Sequence, residues 1–458
     1  MERKYVTVHG IVQGVGFRPF VYNEAIRNNL KGWVKNTSEG VYIDLEGEKI
    51  GVENFLITLK NSPPPLSKIE EITIEDKSIK GYKGFTIEKS NEICNSITLI
   101  SPDMAICKDC ESDIKDSNNR RYRYPFTNCT NCGPRYSIIK KLPYDRAMTT
   151  MDEFKMCPIC KKEYENPLNR RFHAQPNACK DCGPEVWLTD NLGNVMENKE
   201  PVESLIMLLK KGYIAGVKGL GGFHLVCNGK NEKIIKTLRE RKNRPFKSLA
   251  LMMRDIDTVK KYCRVNTLEE EILTGRKRPI LLLNKKNDLL PNNISPDNNK
   301  LGVMLPYTPL HMLLFDEELD VLIMTSANSS GLPMVYKNED AVEKLKGIVD
   351  YFLFHNREIH MPVDDSVVQV VMDKEMVIRS ARGYAPMASK LDNICDSLSC
   401  GSQLKNTFAI SKEHHVFISP HIGDMENLEV YNSFVRGVEH FKNIYSIKPK
   451  IIAFDMHP

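Results

Sequence analysis

The sequence predicts an α+β multidomain protein with a ferredoxin-like first domain, a pair of four-cysteine repeats, a twisted α/β domain and the beginning of a further domain. Three observations support this prediction. Residues 1–91 show the strand and helix pattern of a βαββαβ unit, CxxC pairs recur at a fixed spacing within residues 104–188, and strands alternate with helices over residues 200–386. A chain of 458 residues has room for about three domains.

The first domain is predicted from the order of its elements. Alternating apolar residues predict a first strand at 5–9, and a helical pattern follows at 20–28. We then expect a hairpin of two strands, at 32–36 and 41–45, with its turn at 38–40. A second helix is predicted at 52–60 and further strands at 69–75 and 85–88. The order βαββαβ is that of a ferredoxin-like sandwich.

A glycine-rich loop, Val12-Gln13-Gly14-Val15-Gly16-Phe17-Arg18, separates the first strand from the first helix. Glycines allow consecutive backbone amides to form an anion-binding nest at a helix N-terminus, and an arginine can grip phosphate. With Asn36 at a later strand end, the run resembles the acylphosphatase signature. The resemblance implies that Arg18 holds the phosphoryl oxygens and that Asn36 orients the attacking water. The alternative is a domain of this fold whose loop has lost its activity.

The CxxC pairs form an internal repeat of 50 residues. They comprise Cys107 with Cys110, Cys129 with Cys132, Cys157 with Cys160 and Cys179 with Cys182, and the Asn-Arg-Arg run at 119–121 recurs at 169–171. Two CxxC pairs complete a tetrahedral shell of four thiolates, which has no open position. We therefore expect two structural zinc ions, the first held by the first two pairs and the second by the last two. Disulfide-bonded loops or redox dithiols are the alternatives.

The remaining composition points to a reducing compartment. The other five of the 13 cysteines are scattered, at positions 94, 227, 263, 395 and 400. We find no signal segment and no run of about 18 apolar residues that could cross a membrane, so a cytoplasmic location is expected. The net charge of +5 is small, so an anionic partner must be held by local clusters of cations.

Residues 200–386 have the alternating pattern of a sheet covered by helices. Helices are predicted at 202–211 and 231–241, and strands at 213–217, 248–253, 279–283, 301–305, 321–325, 367–372 and 376–379. A glycine turn at 218–224 follows a strand, where a backbone can approach a ligand closely. Four cations cluster at 241–247, and a Ser-Ala-Asn segment ends a strand at 325–331.

These polar segments, in this order, resemble the YrdC-like domain, which makes acyl-adenylates from ATP. The resemblance implies that Lys242, Arg244 and Lys247 hold the triphosphate and that Ser326 and Asn328 line the same cleft. It also implies that Lys218, His224 and Arg382 belong to the ATP and substrate site, with Arg382 in the run at 379–386 that closes the domain. A solvated helix end is the alternative for the cationic cluster.

The whole arrangement resembles the HypF family, the carbamoyltransferases of [NiFe]-hydrogenase maturation. The run Tyr122–Arg135 resembles the family's finger, and residues 401–407 and 419–424 resemble the start of its actin-like domain. The resemblance implies an enzyme that first hydrolyses carbamoyl phosphate to carbamate. It then adenylates the carbamate with ATP and Mg²⁺, as an acyl-adenylate-forming ligase does. Finally it transfers the carbamoyl group. The implied acceptor is the C-terminal cysteine of a partner, HypE, where the group becomes a cyanide ligand of iron.

The resemblance implies that residues 392–458 are the start of an actin-like domain, of which residues 398–458 supply only the opening strands and one helix of one lobe. The family's third domain continues beyond this motif, so we expect a chain that ends here to complete the first two steps but not the transfer. We also expect this part to be the least stable and the first to be proteolysed, back to about residues 386–390.

Two other functions fit parts of the sequence. One is a free-standing adenylating enzyme of the threonylcarbamoyl type, which leaves the acylphosphatase-like domain unexplained. The other is a zinc-finger nucleic-acid binder, because the arginines at 120, 121, 123 and 135 lie beside aromatic residues. That function leaves the glycine loop unexplained, so we do not expect nucleic-acid binding, although a YrdC-like fold permits it.

Overall fold

A computed structural model describes residues 1–37, 40–88, 99–142, 144–197, 200–329 and 331–456. Residues 38–39 of the predicted turn, Cys94 and Ser330 lie outside the described residues. The described residues form three sheets and a segment with little regular structure between the first two. The α+β class and the ferredoxin-like, zinc-repeat and α/β parts are confirmed.

The first sheet has the strand order β4-β1-β3-β2-β5, of which the first four strands give the ferredoxin-like order. Strand β1 lies between β3 and β4 and is antiparallel to both, and β5 adds a parallel edge beside β2. The predicted alternation is visible in β1, where Val6 and Val8 are fully buried. The elements are β1 (Glu2–Ile11), α1 (Phe17–Arg27), β2 (Lys31–Asn36), β3 (Val41–Gly47), α2 (Lys49–Asn61), β4 (Lys68–Lys77) and β5 (Phe85–Ile87).

The cysteine-rich segment contains two short helices at equivalent places of its repeat, α3 (Lys108–Lys115) and α4 (Pro158–Glu165). Each begins directly after the first cysteine of a CxxC pair, Cys107 or Cys157, so the second cysteine lies in the first helical turn. The apolar clusters of this segment are small and include several of the cysteines themselves. Such a segment depends on bound metal for much of its stability.

The second sheet has ten strands in the order β15-β14-β10-β11-β9-β12-β8-β7-β13-β6 and mixes parallel and antiparallel pairs. Two large apolar clusters surround it. Its elements are β6 (Val186–Asp190), α5 (Pro201–Lys210), β7 (Ala215–Lys218), β8 (Phe223–Asn228), α6 (Glu232–Lys242), β9 (Leu251–Met253), α7 (Ile256–Tyr262), α8 (Thr267–Thr274), β10 (Ile280–Asn284), β11 (Lys300–Met304), α9 (Pro309–Leu313), β12 (Val321–Ser326), α10 (Asn338–Leu345), β13 (Tyr351–His355), β14 (Val367–Val371) and β15 (Lys374–Arg379).

The third sheet has five strands in the order β16-β19-β18-β17-β20 and packs against one long helix. Its elements are β16 (Met387–Lys390), β17 (Ser397–Cys400), β18 (Phe408–Lys412), β19 (His415–Ile418), α11 (Leu428–Ile444) and β20 (Ile451–Ala453). Its apolar cluster also contains residues from the cysteine-rich segment and from the second sheet's connections, among them Tyr136 and Met361. Within the described residues, every helix is too short or too polar to span a membrane.

Candidate functional site

The loop between β1 and α1 has the backbone of an anion cradle. Gly14 and Gly16 have φ angles of 67° and 77°, a region that glycine enters without steric cost. Gly16 is the N-cap of α1, so the first amides of the helix have no partner within the helix. Arg18 and Asn36 line the same small cavity as the two glycines. The structure therefore brings the four predicted residues together.

The two polar side chains of this cradle are partly removed from water. Asn36 is 6% exposed, and its Oδ1 has no hydrogen-bond partner among the described residues. Burial lowers the pKa of the Arg18 guanidinium, while the nearby Asp145 and Tyr164 act to raise it. A guanidinium in such surroundings binds an anion more strongly than one in bulk water. The roles of both residues in catalysis stay predictions.

The predicted cysteines form two groups of four. Within each group, one from Cys107 to Cys132 and one from Cys157 to Cys182, all sulfurs lie within 4.8 Å of one another. The Sγ atoms of Cys107 and Cys129 are 3.6 Å apart, and those of Cys179 and Cys182 are 3.8 Å apart. Tetrahedral zinc with Zn–S bonds of about 2.3 Å holds its sulfurs about 3.8 Å apart. The two groups therefore fit structural zinc, in the sequential pairing that the sequence predicts.

Arginines are exchanged between the two repeats. Arg120 of the first repeat donates hydrogen bonds to Cys157 and Cys179 of the second group, at 3.3 and 2.8 Å. Its counterpart 50 residues on, Arg170, donates to Cys110 of the first group at 3.0 Å. Such donors stabilise thiolates and orient metal ligands. The two repeats therefore form one unit in which each group depends on the other repeat.

Burial weakens the basis for the nucleic-acid alternative. Arg121 and Arg135 are 2% and 3% exposed, and their guanidinium groups are held by protein acceptors. Tyr124 and Phe126 are each 5% exposed. Tyr122 is 45% exposed, so part of the run lies at the surface, but these four buried residues are not available to phosphates and bases.

A cleft of about 550 Å³ lies between the second sheet and residues 405–437. Most of the predicted ATP and substrate residues line it, namely His224, Lys242, Arg244, Lys247, Ser326 and Asn328. Lys242 ends α6, and Ser326 ends β12, so the carboxyl ends of a helix and a strand meet here. Lys242 Nζ donates to the Ser326 carbonyl at 2.5 Å and to Asn328 Oδ1 at 3.2 Å. These contacts fix the ammonium group at the wall of the cleft.

The cations of this cleft are strongly perturbed. Burial, together with the neighbouring Arg244 and Lys247, lowers the pKa of Lys242 to about 7. Burial, together with Arg239 and Arg379, lowers the pKa of Arg244 to about 10. Cations held close together in a partly dehydrated cleft repel one another until an anion binds. The arrangement suits a ligand with several negative charges.

The two other predicted residues lie behind the cleft wall. Lys218 is buried, its Nζ donates to the His355 carbonyl at 3.1 Å, and burial lowers its pKa to about 8. Arg382 is also buried and donates to Asp365 at 2.7 Å, while Asp365 lies 3.0 Å from His224 Nε2. Arg382 is thus connected to the cleft through Asp365 and His224. Neither Lys218 nor Arg382 is among the residues that line the cleft.

The glycine turn at 218–224 is used by the protein itself. It forms the hairpin between β7 and β8, closed by a hydrogen bond from Gly219 N to the Gly222 carbonyl at 2.8 Å. A Cβ atom on Gly221 would collide with the Val363 carbonyl, and one on Gly222 would collide with the Met334 side chain. Both neighbours line the cleft. The glycines therefore permit the close packing of the cleft wall, a use that the sequence does not reveal.

The residues of the far wall of the cleft were not predicted from the sequence. This wall includes Arg379 and, from the third sheet and its connections, Lys405, His421, Asp424 and Arg436. His421 Nδ1 lies 3.3 Å from Asp364 Oδ2, and its backbone amide donates to the Ser380 carbonyl at 2.8 Å. The motifs at 401–407 and 419–424 were the available signal, but they were assigned to a separate domain. Only the tertiary structure places them opposite Lys242.

Family models match most of the chain. The acylphosphatase model matches residues 4–87, and the HypF finger model matches 106–139 and 156–189. The Sua5, YciO and YrdC model, which carries the description telomere recombination, matches 207–381. The HypF Kae1-like domain model matches 393–458.

Full-length relatives show the same combination. The chain is 44% identical to the carbamoyltransferase HypF of Synechocystis and 44% identical to the probable carbamoyltransferase HypF of Methanocaldococcus jannaschii, over 99% of its own length in both cases. It spans 60% of the length of each. Residues of the first domain are 43% identical to the acylphosphatase of Bacillus subtilis, over 84 residues that make up 91% of that protein.

A solved structure agrees over the whole chain. A full-length HypF, crystallised in a phosphate- and nucleotide-bound form, is 46% identical and superposes with a TM-score of 0.94, covering 100% of this chain and 60% of the other. The fold, the two cysteine groups and the family matches lead to the same conclusion. The chain belongs to the HypF family.

Proposed function

We propose that this chain converts carbamoyl phosphate to carbamate in its first domain and adenylates the carbamate with ATP in the cleft of the second sheet. One observation carries the proposal. A glycine loop with Arg18 and Asn36 at one cavity and a cation-lined cleft around Lys242 occur in one chain, with the two four-cysteine groups between them in the sequence. The first site suits a small phosphorylated acyl group, and the second suits a triphosphate.

The first reaction is hydrolysis at phosphorus. The amides of the loop and the Arg18 guanidinium hold the phosphoryl oxygens, where negative charge is concentrated in the transition state. Asn36 orients a water molecule for attack on phosphorus. The new bond joins the water oxygen to phosphorus, and the bond from phosphorus to the acyl oxygen breaks. Carbamate and inorganic phosphate leave, and the water's protons pass to the phosphate and to solvent.

The second reaction transfers the AMP group. A carbamate oxygen attacks the α-phosphorus of ATP, the α–β phosphoanhydride bond breaks, and pyrophosphate leaves. Lys242, Arg244 and Lys247 stabilise the charge that grows on the leaving pyrophosphate. Mg²⁺, carried in by ATP, would neutralise further charge on the phosphates. The product is carbamoyl-adenylate, so the chain would act as an acyl-adenylate-forming ligase.

The carbamoyl group is then transferred in the complete family member. We propose that its acceptor is the C-terminal cysteine of HypE, in the cytoplasm, and that the group becomes a cyanide ligand of the hydrogenase iron. The similarity of residues 393–458 to the HypF Kae1-like domain supports this step. Because the chain spans 60% of the length of its relatives, the transfer is best tested with one of those relatives beside this chain.

The decisive experiment is product analysis with ATP and carbamoyl phosphate. We expect AMP and pyrophosphate to form only when carbamoyl phosphate is present, and without added threonine. Formation of ADP would rule out adenylation, and a requirement for threonine would favour the threonylcarbamoyl-type enzyme.

Two variants separate the steps. Arg18→Ala should lose carbamoyl-phosphate hydrolysis but still release pyrophosphate when ammonium carbamate is supplied directly, because only the first site is damaged. Lys242→Met should release no pyrophosphate under either condition while still hydrolysing carbamoyl phosphate. If Arg18→Ala and Asn36→Ala both hydrolyse carbamoyl phosphate at the parent rate, the loop has another role.

A further inference from the structure

The acyl-phosphate cradle is covered by the cysteine-rich segment. The cavity that contains Arg18 and Asn36 has a volume of about 30 Å³. One side is the loop from Val12 to Pro19, and the opposite side consists of residues from the two metal-binding repeats and their connection, among them Thr130, Arg135, Tyr144, Phe172, His173 and Gln175. A water molecule needs about 10–15 Å³ of such space, so the covered cavity has room for about two water-sized groups.

Hydrogen bonds fix this cover to the first metal group. The buried Arg135 guanidinium donates to the Gly14 carbonyl at 3.2 Å, to the Thr130 carbonyl at 2.6 Å and to the Gly133 carbonyl at 2.9 Å. Thr130 lies between the zinc-binding Cys129 and Cys132, and Gly133 follows them. One arginine therefore ties the cradle loop to the cysteine loop, and metal binding to that group holds the cover in place.

The contact between loop and cover is close. A Cβ atom on Gly14 would lie 3.1 Å from the Tyr144 ring, and one on Gly16 would lie 3.1 Å from Thr130 Oγ1. Both distances are shorter than ordinary contacts. The glycines thus serve the anion cradle through their positive φ and also allow the metal-binding segment to approach it.

His173 is one of the polar residues that the cover places at the cavity. Its ring stacks on Tyr164 with 4.9 Å between ring centroids, and its Nδ1 is buried with no hydrogen-bond partner among the described residues. Its backbone φ is 51°, and its amide donates to the Tyr164 carbonyl at 3.0 Å. The stacking on Tyr164 therefore holds the His173 side chain at the cavity that Arg18 also lines.

We propose that the metal-binding segment acts as a size filter for the acyl group, with His173 and Tyr144 as the residues that set the limit. This inference rests on the proposed acyl-phosphate hydrolysis. Any acyl phosphate is larger than the cavity, so side chains of the cover must move when one binds. A carbamoyl or acetyl phosphate requires less movement than an aromatic acyl phosphate, whose ring would have to displace the cover itself. In the Bacillus subtilis acylphosphatase, the 84 matched residues make up 91% of the protein, which leaves too few residues for such a segment. We therefore expect this relative to accept larger acyl groups.

The test measures kcat/KM for carbamoyl, acetyl and benzoyl phosphate with the full chain and with the Bacillus subtilis acylphosphatase. We expect the ratio of kcat/KM for benzoyl phosphate to kcat/KM for carbamoyl phosphate to be at least about tenfold lower for the full chain than for the Bacillus subtilis acylphosphatase. A factor of this size corresponds to a modest steric discrimination. His173→Gly should raise this ratio about tenfold, because it opens the cavity and glycine suits a φ of 51°.

The matched control is Arg123→Gly. Arg123 is the counterpart of His173 in the first repeat, has a φ of 53°, and is not among the residues that line the cavity. It should leave the ratio unchanged. Zinc content should stay at two ions per chain in both variants. If His173→Gly loses zinc, Tyr144→Leu opens the cavity from another element and should raise the ratio instead.

The outcomes are distinct. A benzoyl to carbamoyl ratio equal to that of the Bacillus subtilis enzyme overturns the size filter while leaving the proposed function standing. The filter is also overturned if neither His173→Gly nor Tyr144→Leu changes the ratio with zinc retained. Failure to hydrolyse any of the three substrates contradicts the proposed function itself.

Discussion

Lys242 connects the chemistry of the cleft to a measurable pH dependence. In the free protein its pKa is lowered to about 7 by burial and by Arg244 and Lys247. A bound triphosphate favours the charged ammonium and raises this pKa. Above about pH 7, binding must therefore take up a proton, and ATP affinity should fall as the pH rises from 7 toward 9. Calorimetry in buffers of different ionisation enthalpy measures the proton uptake.

Lys242→Arg provides the comparison for this prediction, because arginine stays charged over the whole range. We expect the variant to bind ATP with little proton uptake between pH 7 and 9. Equal proton uptake by both proteins would assign the titration to another group.

Asp365 connects two buried groups of the cleft wall, and its loss should be costly. It accepts a hydrogen bond from Arg382, which is 1% exposed, at 2.7 Å. Burial acts to raise the pKa of the Asp365 carboxyl, but Arg382 and His224 bring this pKa well below its usual range. Asp365→Asn leaves Arg382 buried without a counter-charge, so we expect a loss of about 3 kcal/mol of unfolding free energy. Chemical denaturation measures this loss.

The pH dependence of this pair has a defined sign. Because the folded-state pKa of Asp365 is depressed, the stabilisation is complete above the unfolded pKa of about 3.9 and is lost as the pH falls below it. The exposed Asp373, in the turn between β14 and β15, is the control. Asp373→Asn should change stability by less than about 0.5 kcal/mol. An equal effect of both substitutions would show that the pair with Arg382 contributes little.

The two cysteine-rich repeats support each other through exchanged arginines. Arg120 contacts the sulfurs of the second group, and Arg170 contacts the first. We expect Arg120→Ala to weaken zinc binding at Cys157–Cys182 by about 10–100-fold and Arg170→Ala to do so at Cys107–Cys132. Chelator competition, followed by alkylation and mass spectrometry of the newly exposed cysteines, reports which group has lost its metal.

An exposed cation of the same segment tests the specificity of this effect. Lys161, in α4, forms a surface pair with Glu165 at 3.9 Å and is expected to be dispensable for zinc binding. If Lys161→Ala releases zinc as readily as Arg120→Ala, the loss reflects general destabilisation. Cys129→Ser should bind one zinc ion per chain, and two fully occupied sites in that variant would contradict the sequential grouping.

The third sheet shares its core with the rest of the molecule. Phe408, Phe417 and Phe441 lie in one apolar cluster with Tyr136 of the cysteine-rich segment and Met361 beside the cleft. The apolar residues of β20 and its end are instead exposed, with Ile452 at 61% and Phe454 at 69%. We therefore expect limited proteolysis to cut first after α11 and to spare residues 387–444. Early trimming to residues 386–390, as the sequence alone suggests, would show that the shared core is weak.

The predictions from sequence succeeded where a segment forms its structure from its own pattern. Strand β1 has an alternating pattern, and α6 and the β2–β3 hairpin have clear local signals, so each was placed to within a few residues. Strands β8 and β13 were missed. Strand β8 begins within the glycine turn predicted at 218–224. Strand β13 is a continuous apolar run, which periodicity does not distinguish from a buried helix segment. Their pairing within the second sheet depends on distant strands.

The sequence by itself determined the cysteine groups, the anion loop and the cationic cluster, because CxxC spacing, glycines and charges act over short stretches of chain. Only the tertiary structure decided what faces these groups. It placed His421 and Lys405 across the cleft from Lys242, put Lys218 and Arg382 behind the wall, and covered Arg18 with the cysteine-rich segment. Most of these placements bring together residues more than 100 positions apart, as in the contact of Lys218 with His355. They follow from the packing of whole elements, which local patterns do not record.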